Sequence, residues 1–131
     1  MTTVRVSAAV VLDDAGRALL VRKRGTHVFM QPGGKPEPGE SAADALVREL
    51  AEEVGVRVPV SHVRALGTFR ADAANEPGWT VVADAFAVSL DPLEIVAAGE
   101  IEEVRWVAQE DLAGLSVAPL SRDVLLPLAW G

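Results

Sequence analysis

The sequence predicts an α/β fold, a mixed β-sheet flanked by helices, and three observations predict it. Segments rich in valine and alternating in polarity lie both before and after one strongly amphipathic helix, the pattern of strands and helix sharing a core. The chain has 131 residues, half of them hydrophobic and 24% charged, an ordinary globular composition with enough length for one substantial core. No repeat, linker or low-complexity tract divides it, so residues 1–131 are expected to form a single domain.

The elements follow in order. Val4 to Leu12 reads as a strand, "DDAG" (Asp13 to Gly16) as a turn, and Ala18 to Lys23 as a second strand, so the pair is expected to form a hairpin. "RKRGTH" is a polar loop and "VFMQ" a short extended piece leading to Pro32-Gly33-Gly34. Pro36, Pro38 and Gly39 keep the next residues irregular, and Ser41 then stands where a helix N-cap belongs, with Asp44 three residues on. Ala43, Leu46, Val47, Leu50 and Val54 make one apolar stripe at helical spacing, and Gly55 is placed to end the helix. One or two strands are expected between Val56 and Phe69, interrupted near Pro59. "RADAANEPG" is a loop, Trp79 to Leu90 a long alternating strand, and "DPLEIVAAGEIEE" irregular. Val104 to Val107 reads as a last strand, "QEDLAGL" as a short helix, and "LSRDVLLPLAW" as a helix cut short by Pro127.

Composition excludes several functions. The absence of cysteine rules out disulfides, thiolate zinc sites and thiol nucleophiles. A net charge of −7 and sparse aromatics argue against general nucleic-acid binding. The apolar run near the start is short and ends in Asp13 and Asp14, unlike a signal peptide, and no run approaches a membrane span. A cytoplasmic location with no membrane partner is expected.

The helix carries the chemistry. Glu49, Glu52 and Glu53 share an arc of roughly 100° beside the apolar stripe, and each like-charged neighbour pair costs about 0.2–0.5 kcal/mol. Such crowding asks for a nearby positive charge. Magnesium prefers oxygen ligands and joins carboxylates to substrate phosphates, and three carboxylates beside a glycine loop make a platform for it.

From Gly34 to Val56 the chain has a glycine, five residues, Glu40, seven residues, then "RELAEEVGV". Here it resembles the Nudix hydrolases, whose box is GX5EX7REUXEEXGU with U bulky and aliphatic. Every specified position is filled, by Gly34, Glu40, Arg48, Glu49, Leu50, Glu52, Glu53, Gly55 and Val56. The resemblance implies an α/β/α sandwich with the box as loop, helix and loop. It also implies Mg²⁺-dependent hydrolysis, with Mn²⁺ as a substitute, of a nucleoside diphosphate linked to another group. It further implies that Glu52 and Glu53 bind metal with help from the Gly33 carbonyl, and that Glu49 is a ligand or the general base. Arg48 would orient a box carboxylate, and Glu40 would sit behind it at the box entrance.

Outside the box, the family brings a further acid to the metals from a loop near Trp106; Glu100 is the first choice because it follows Gly99, with Glu103 second. Lys35 is a candidate phosphate contact, and Arg24, from the basic run Arg22 to Arg24, is a candidate for meeting a substrate tail. Asn75, Glu76 and Trp79 are candidates for recognising a base or sugar. His27 and His62 have no histidine or cysteine at ligand spacing and read as loop residues. Substrate choice is expected from the loops "RKRGTHVFMQ" and "RADAANEPGW". The expected partner is a small nucleotide, with a homodimer compatible with the family. Two other readings are a nucleotide-binding module without catalysis and an RNA 5′-end pyrophosphohydrolase, the latter opposed by the acidic charge. An isoprenoid diphosphate isomerase shares the fold, but its cysteine-dependent chemistry does not suit a chain without cysteine.

Overall fold

A computed structural model describes residues 2–74 and 76–131. Four strands form a mixed sheet in the order β4-β1-β6-β5, with β1 Thr2–Val10, β4 Gly33–Gly34, β5 Arg64–Asp72 and β6 Trp79–Ala87. β1 runs parallel to β6 along its whole length, from Thr2 against Trp79 to Val10 against Ala87, and antiparallel to β4. A second, antiparallel sheet has the order β3-β2-β7, with β2 Ala18–Lys23, β3 Phe29–Met30 and β7 Ile101–Val107.

The expected hairpin between β1 and β2 survives only at its tip. Leu12 bridges Ala18, the Leu19 N–H donates to Val11 O at 2.9 Å, and the Asp13 side chain caps the turn through the Ala15 and Arg17 amides. Beyond that point the strands part into different sheets, because β1 finds β6 and β2 finds β7. The split opens the space that the first helix fills.

That helix, α1, spans Ala42–Val54, the limits its end signals predict. Ser41 caps it by accepting the Asp44 N–H at 3.1 Å, and Gly55 ends it in the left-handed region at φ 70°. Its stripe buries Leu46, Leu50 and Val54 completely between the two sheets, against Ala9, Val11, Leu19, Val21, Phe86 and Ile101. The opposite faces are covered by the C-terminal segment. Leu120 and Leu125 pack on Ala8, Val10, Ala83 and Ala85 of the first sheet, while Leu126 packs on Ala18, Leu20 and Val107 of the second. Helices thus cover both sides of the sheets, as the α/β/α expectation requires.

The helix at the C-terminus is not cut short by Pro127. A π-helical turn over Leu120–Leu125 runs into α2, Leu126–Trp130, and the Leu126 N–H reaches back five residues to Ser121 O. Pro127 then falls in the first turn of α2, where a missing N–H is tolerated. The last strand is longer than its valine-rich end suggests, beginning at Ile101, and β5 continues into the expected loop as far as Asp72. Among the described residues no helix is long and apolar enough to cross a membrane.

Candidate active site

α1 is set against β1 and β4 so that Glu49 and Glu53 face the Gly33–Gly34 strand. Glycine is required there for space. A Cβ on Gly34 would overlap the Glu49 carboxylate, and one on Gly33 would overlap the Ser7 carbonyl oxygen. The glycine pair therefore lets backbone lie directly against the acidic face of the helix.

The three box glutamates stand in different environments. Glu53 is only 6% exposed, and its Oε1 accepts the Gly33 N–H at 2.9 Å. Burial, reinforced by the charges of Glu49 and Glu100 and opposed by the Gly33 N–H and by Lys23, pushes its carboxyl up to about 7. Glu49 is partly buried and its pKa is also raised, first by burial and then by the neighbouring Glu52 carboxyl. Glu52 is more than half exposed.

The positive charge that this crowding calls for is in part Arg48. Its guanidinium grips Glu40 bidentately, Nε to Oε2 and Nη2 to Oε1, both at 2.9 Å. Its Nη1 donates to Glu49 at 2.7 Å and lies 3.3 Å from Glu52, and Nη2 also donates to the Lys35 carbonyl at 3.0 Å. The first effect of this grip on Glu40 is to hold its carboxyl below the usual carboxylate range. Arg48 therefore ties the loop of residues 35–40 to the helix and fixes Glu49. Among the described residues no arginine does the same for Glu53, whose compensation is one backbone N–H and the more distant charge of Lys23.

The loop that leads into β7 lies against the C-terminal end of α1. Val96 and Ala98 donate their N–H groups to the Val54 and Glu53 carbonyls at 3.0 Å, tying this loop to the end of the helix. Gly99, at φ 57°, is so close to the Glu52 carbonyl that a Cβ would come within 2.9 Å of it. This brings Glu100 near enough to raise the Glu53 pKa. Glu103 is instead engaged by Arg22 at 3.4 Å and Arg105 at 2.7 Å on the second sheet.

Among the described residues no three acidic or histidine side chains are gathered as a ready cation site. The donor set nevertheless suits a hard divalent cation. It is all oxygen, and it includes a buried carboxyl surrounded by like charges that a cation would relieve. Glu49, Glu52, Glu53 and Glu100, with the Gly33 carbonyl, are the residues that could hold one.

Beside the glutamates lies a cleft of about 400 Å³. Lys23, Lys35, Gly33, Gly34 and Glu49 line it, as do the aliphatic side chains of Val4, Val6, Ala8, Val81 and Leu120. Of the recognition candidates, Glu76 lines the cleft, whereas Trp79 is 38% exposed and is not on its wall. Asn75 lies outside the described residues. Arg24 also stays away from the cleft, paired with Glu102 at 3.4 Å. From the basic run it is Lys23 that faces the glutamates. Its position as the last residue of β2, on the strand that packs beside α1, could have marked it. Gln31, Ser7 and Ser121 also line the cleft and carry no sequence signal.

Comparison with known proteins agrees with this arrangement. A family model described as the NUDIX domain matches residues 1–127. A Bacillus subtilis protein provisionally named an 8-oxo-dGTP diphosphatase is 40% identical over 52 residues, which is 40% of this chain and 35% of the relative. The isopentenyl-diphosphate Delta-isomerase of Cereibacter sphaeroides is 34% identical over 119 residues, 83% of this chain and 67% of that protein. In structure, the chain is similar to the MutT protein of Methanosarcina mazei, with a TM-score of 0.77 over 98% of this chain and 93% of the other, at 21% identity.

Proposed function

The chain belongs to the Nudix hydrolase family, and on that premise we propose that it is a divalent-cation-dependent pyrophosphohydrolase. Its substrate would be a small nucleotide in which a nucleoside diphosphate is linked to another group. The observation that carries this reading is the complete box folded beside a cleft that Glu49, Lys23 and Lys35 help to line. When bound, Mg²⁺ or Mn²⁺ supplies charge neutralisation at the diphosphate oxygens and a lowered pKa for an attacking water. Glu49, Glu52, Glu53 and Glu100 would hold it, with the Gly33 carbonyl.

The chain's own residues do the rest. Lys23 and Lys35 bind the phosphates from the cleft wall. Glu49, held in place by Arg48 and the only box glutamate on that wall, takes a proton from the water. A bond forms from the water oxygen to phosphorus, and the bridging phosphorus–oxygen bond breaks. Its electron pair leaves on the departing phosphate. Arg48 and Glu40 act behind Glu49 as positioning residues.

The similarity to an isoprenoid isomerase raises a different reaction on the same fold. The absence of cysteine from this chain disfavours it. A panel of nucleoside triphosphates, nucleotide sugars, dinucleoside polyphosphates, ADP-ribose, triphosphorylated RNA and isopentenyl diphosphate tests the choice. Release of phosphate or pyrophosphate from a small nucleotide, only with Mg²⁺ or Mn²⁺, is expected. No turnover of any nucleotide, or isomerisation of isopentenyl diphosphate, would overturn the reading.

A further inference from the structure

Gln31 stands between β3 and β4, on the wall of the cleft, and is only 6% exposed. Its backbone N–H donates to Ser121 Oγ at 3.2 Å, which anchors the residue to the C-terminal segment. Its side-chain Oε1 is buried without a hydrogen-bond partner among the described residues. Buried side-chain carbonyls are almost always paired, and an orphan is a loss of stability that a ligand donor can recover. Among the described residues, every other buried polar side chain is accounted for. Ser7 Oγ donates to Ala42 O, Glu53 accepts from Gly33, and Ser121 accepts from Gln31.

The surroundings define what would satisfy it. Val4, Val6, Ala8, Val81 and Leu120 give the cleft aliphatic walls suited to the flat faces of a heterocycle. Lys23 and Lys35 on the same cleft are suited to phosphate. A ligand with an aromatic ring, a ring or exocyclic N–H, and a phosphate tail matches all three features. We propose that Gln31 is a specificity-determining residue that reads the N–H-bearing edge of the substrate's nucleobase through its carboxamide. A primary amide offers an acceptor and a donor side by side, so it matches a base edge that presents a donor beside an acceptor. Discrimination follows because a ligand without the donor leaves Oε1 unpaired.

This inference rests on the reading that a nucleotide occupies the cleft, but its test does not require turnover. Binding of the nucleoside monophosphates of adenine, guanine, cytosine and uracil, and of ribose 5-phosphate, is measured by calorimetry in EDTA. The proteins are the wild type, Gln31→Leu, and Gln31→Met, which keeps the side chain's length. At least one base-bearing monophosphate should bind the wild type tenfold or more tightly than ribose 5-phosphate. Both variants should reduce that advantage at least tenfold, leave ribose 5-phosphate binding unchanged, and melt at or above the wild-type temperature. The gain in stability separates lost recognition from damaged folding. If both variants keep the wild-type ranking of bases, or if no base binds better than ribose 5-phosphate, the inference is wrong. Absence of turnover by the wild type, together with a base preference that both variants lose, would count against the hydrolase reading and leave Gln31 supported.

Discussion

Substituting Glu53 by glutamine should make the metal-free protein more stable at neutral pH while leaving its stability in mild acid unchanged. Glu53 is raised from 4.5 to about 7, chiefly by burial. A carboxyl with a raised folded-state pKa holds its proton in the native state while the unfolded chain has released it. Its contribution is therefore intact below pH 4.5 and is lost as pH rises through 7. At about 1.4 kcal/mol per unit, the loss comes to about 3 kcal/mol between pH 5 and pH 8. With a side chain so deeply buried, solvent screening reduces this little. Glutamine keeps the acceptor for the Gly33 N–H and cannot ionise, so the variant should lose much less over the same range. Glu49, shifted in the same direction, adds to the wild-type slope. The carboxylates of Glu40, Asp13 and Asp84 are shifted downward and act only at lower pH. Urea unfolding followed by tryptophan fluorescence in EDTA, at half-unit steps from pH 5 to 8, gives both curves. Parallel curves would show that Glu53 is ionised at no cost and would refute the electrostatic picture of the site.

Mg²⁺ should raise the melting temperature of the wild type, since a ligand at 100 times its Kd adds about 2.7 kcal/mol; joint substitution of Glu49, Glu52 and Glu53 by glutamine should abolish that rise in thermal denaturation, and its persistence would place the ion elsewhere. Gly34→Ala should fold but displace the Glu49 carboxylate, cutting kcat at least ~10-fold, as small misplacements of catalytic groups do; an unchanged kcat would mean that Glu49 need not stay where it is. Glu100→Gln should slow turnover about 10-fold or more by weakening a metal-facing charge; Glu103→Gln, whose side chain is already taken by Arg22 and Arg105, should not, and equal effects in steady-state kinetics would remove the distinction.

The helix bearing the box was legible because its information is local. Ser41, the spacing of Leu46, Leu50 and Val54, and Gly55 each act within one turn of their own position. The resemblance carried by the box also led to the α/β/α layering, which packing alone would have left open. What was not legible depended on distant partners. Nothing near Asp13 tells β1 to leave β2 for β6, more than sixty residues on. Gly33 and Gly34 read as a loop because their strand pairing uses backbone alone. Pro127 looks like a stop in the sequence because the π-helical turn upstream is a product of tertiary packing, not of a residue pattern. At the site, the role of Arg48 in orienting a box carboxylate follows from the resemblance, but its bidentate hold on Glu40 needs the folded loop. Gln31 had no mark at all, since a lone glutamine becomes notable only once its side chain is buried beside a cleft.

The most direct test of the central claim is single-turnover hydrolysis of the best nucleotide substrate in heavy-oxygen water with Mg²⁺, analysed by mass spectrometry of both products. Attack of water on phosphorus predicts one heavy oxygen atom in the phosphoryl group of one product and none in the other. A product set with no incorporated label, or intact nucleotide after prolonged incubation with Mg²⁺ and Mn²⁺, would contradict it.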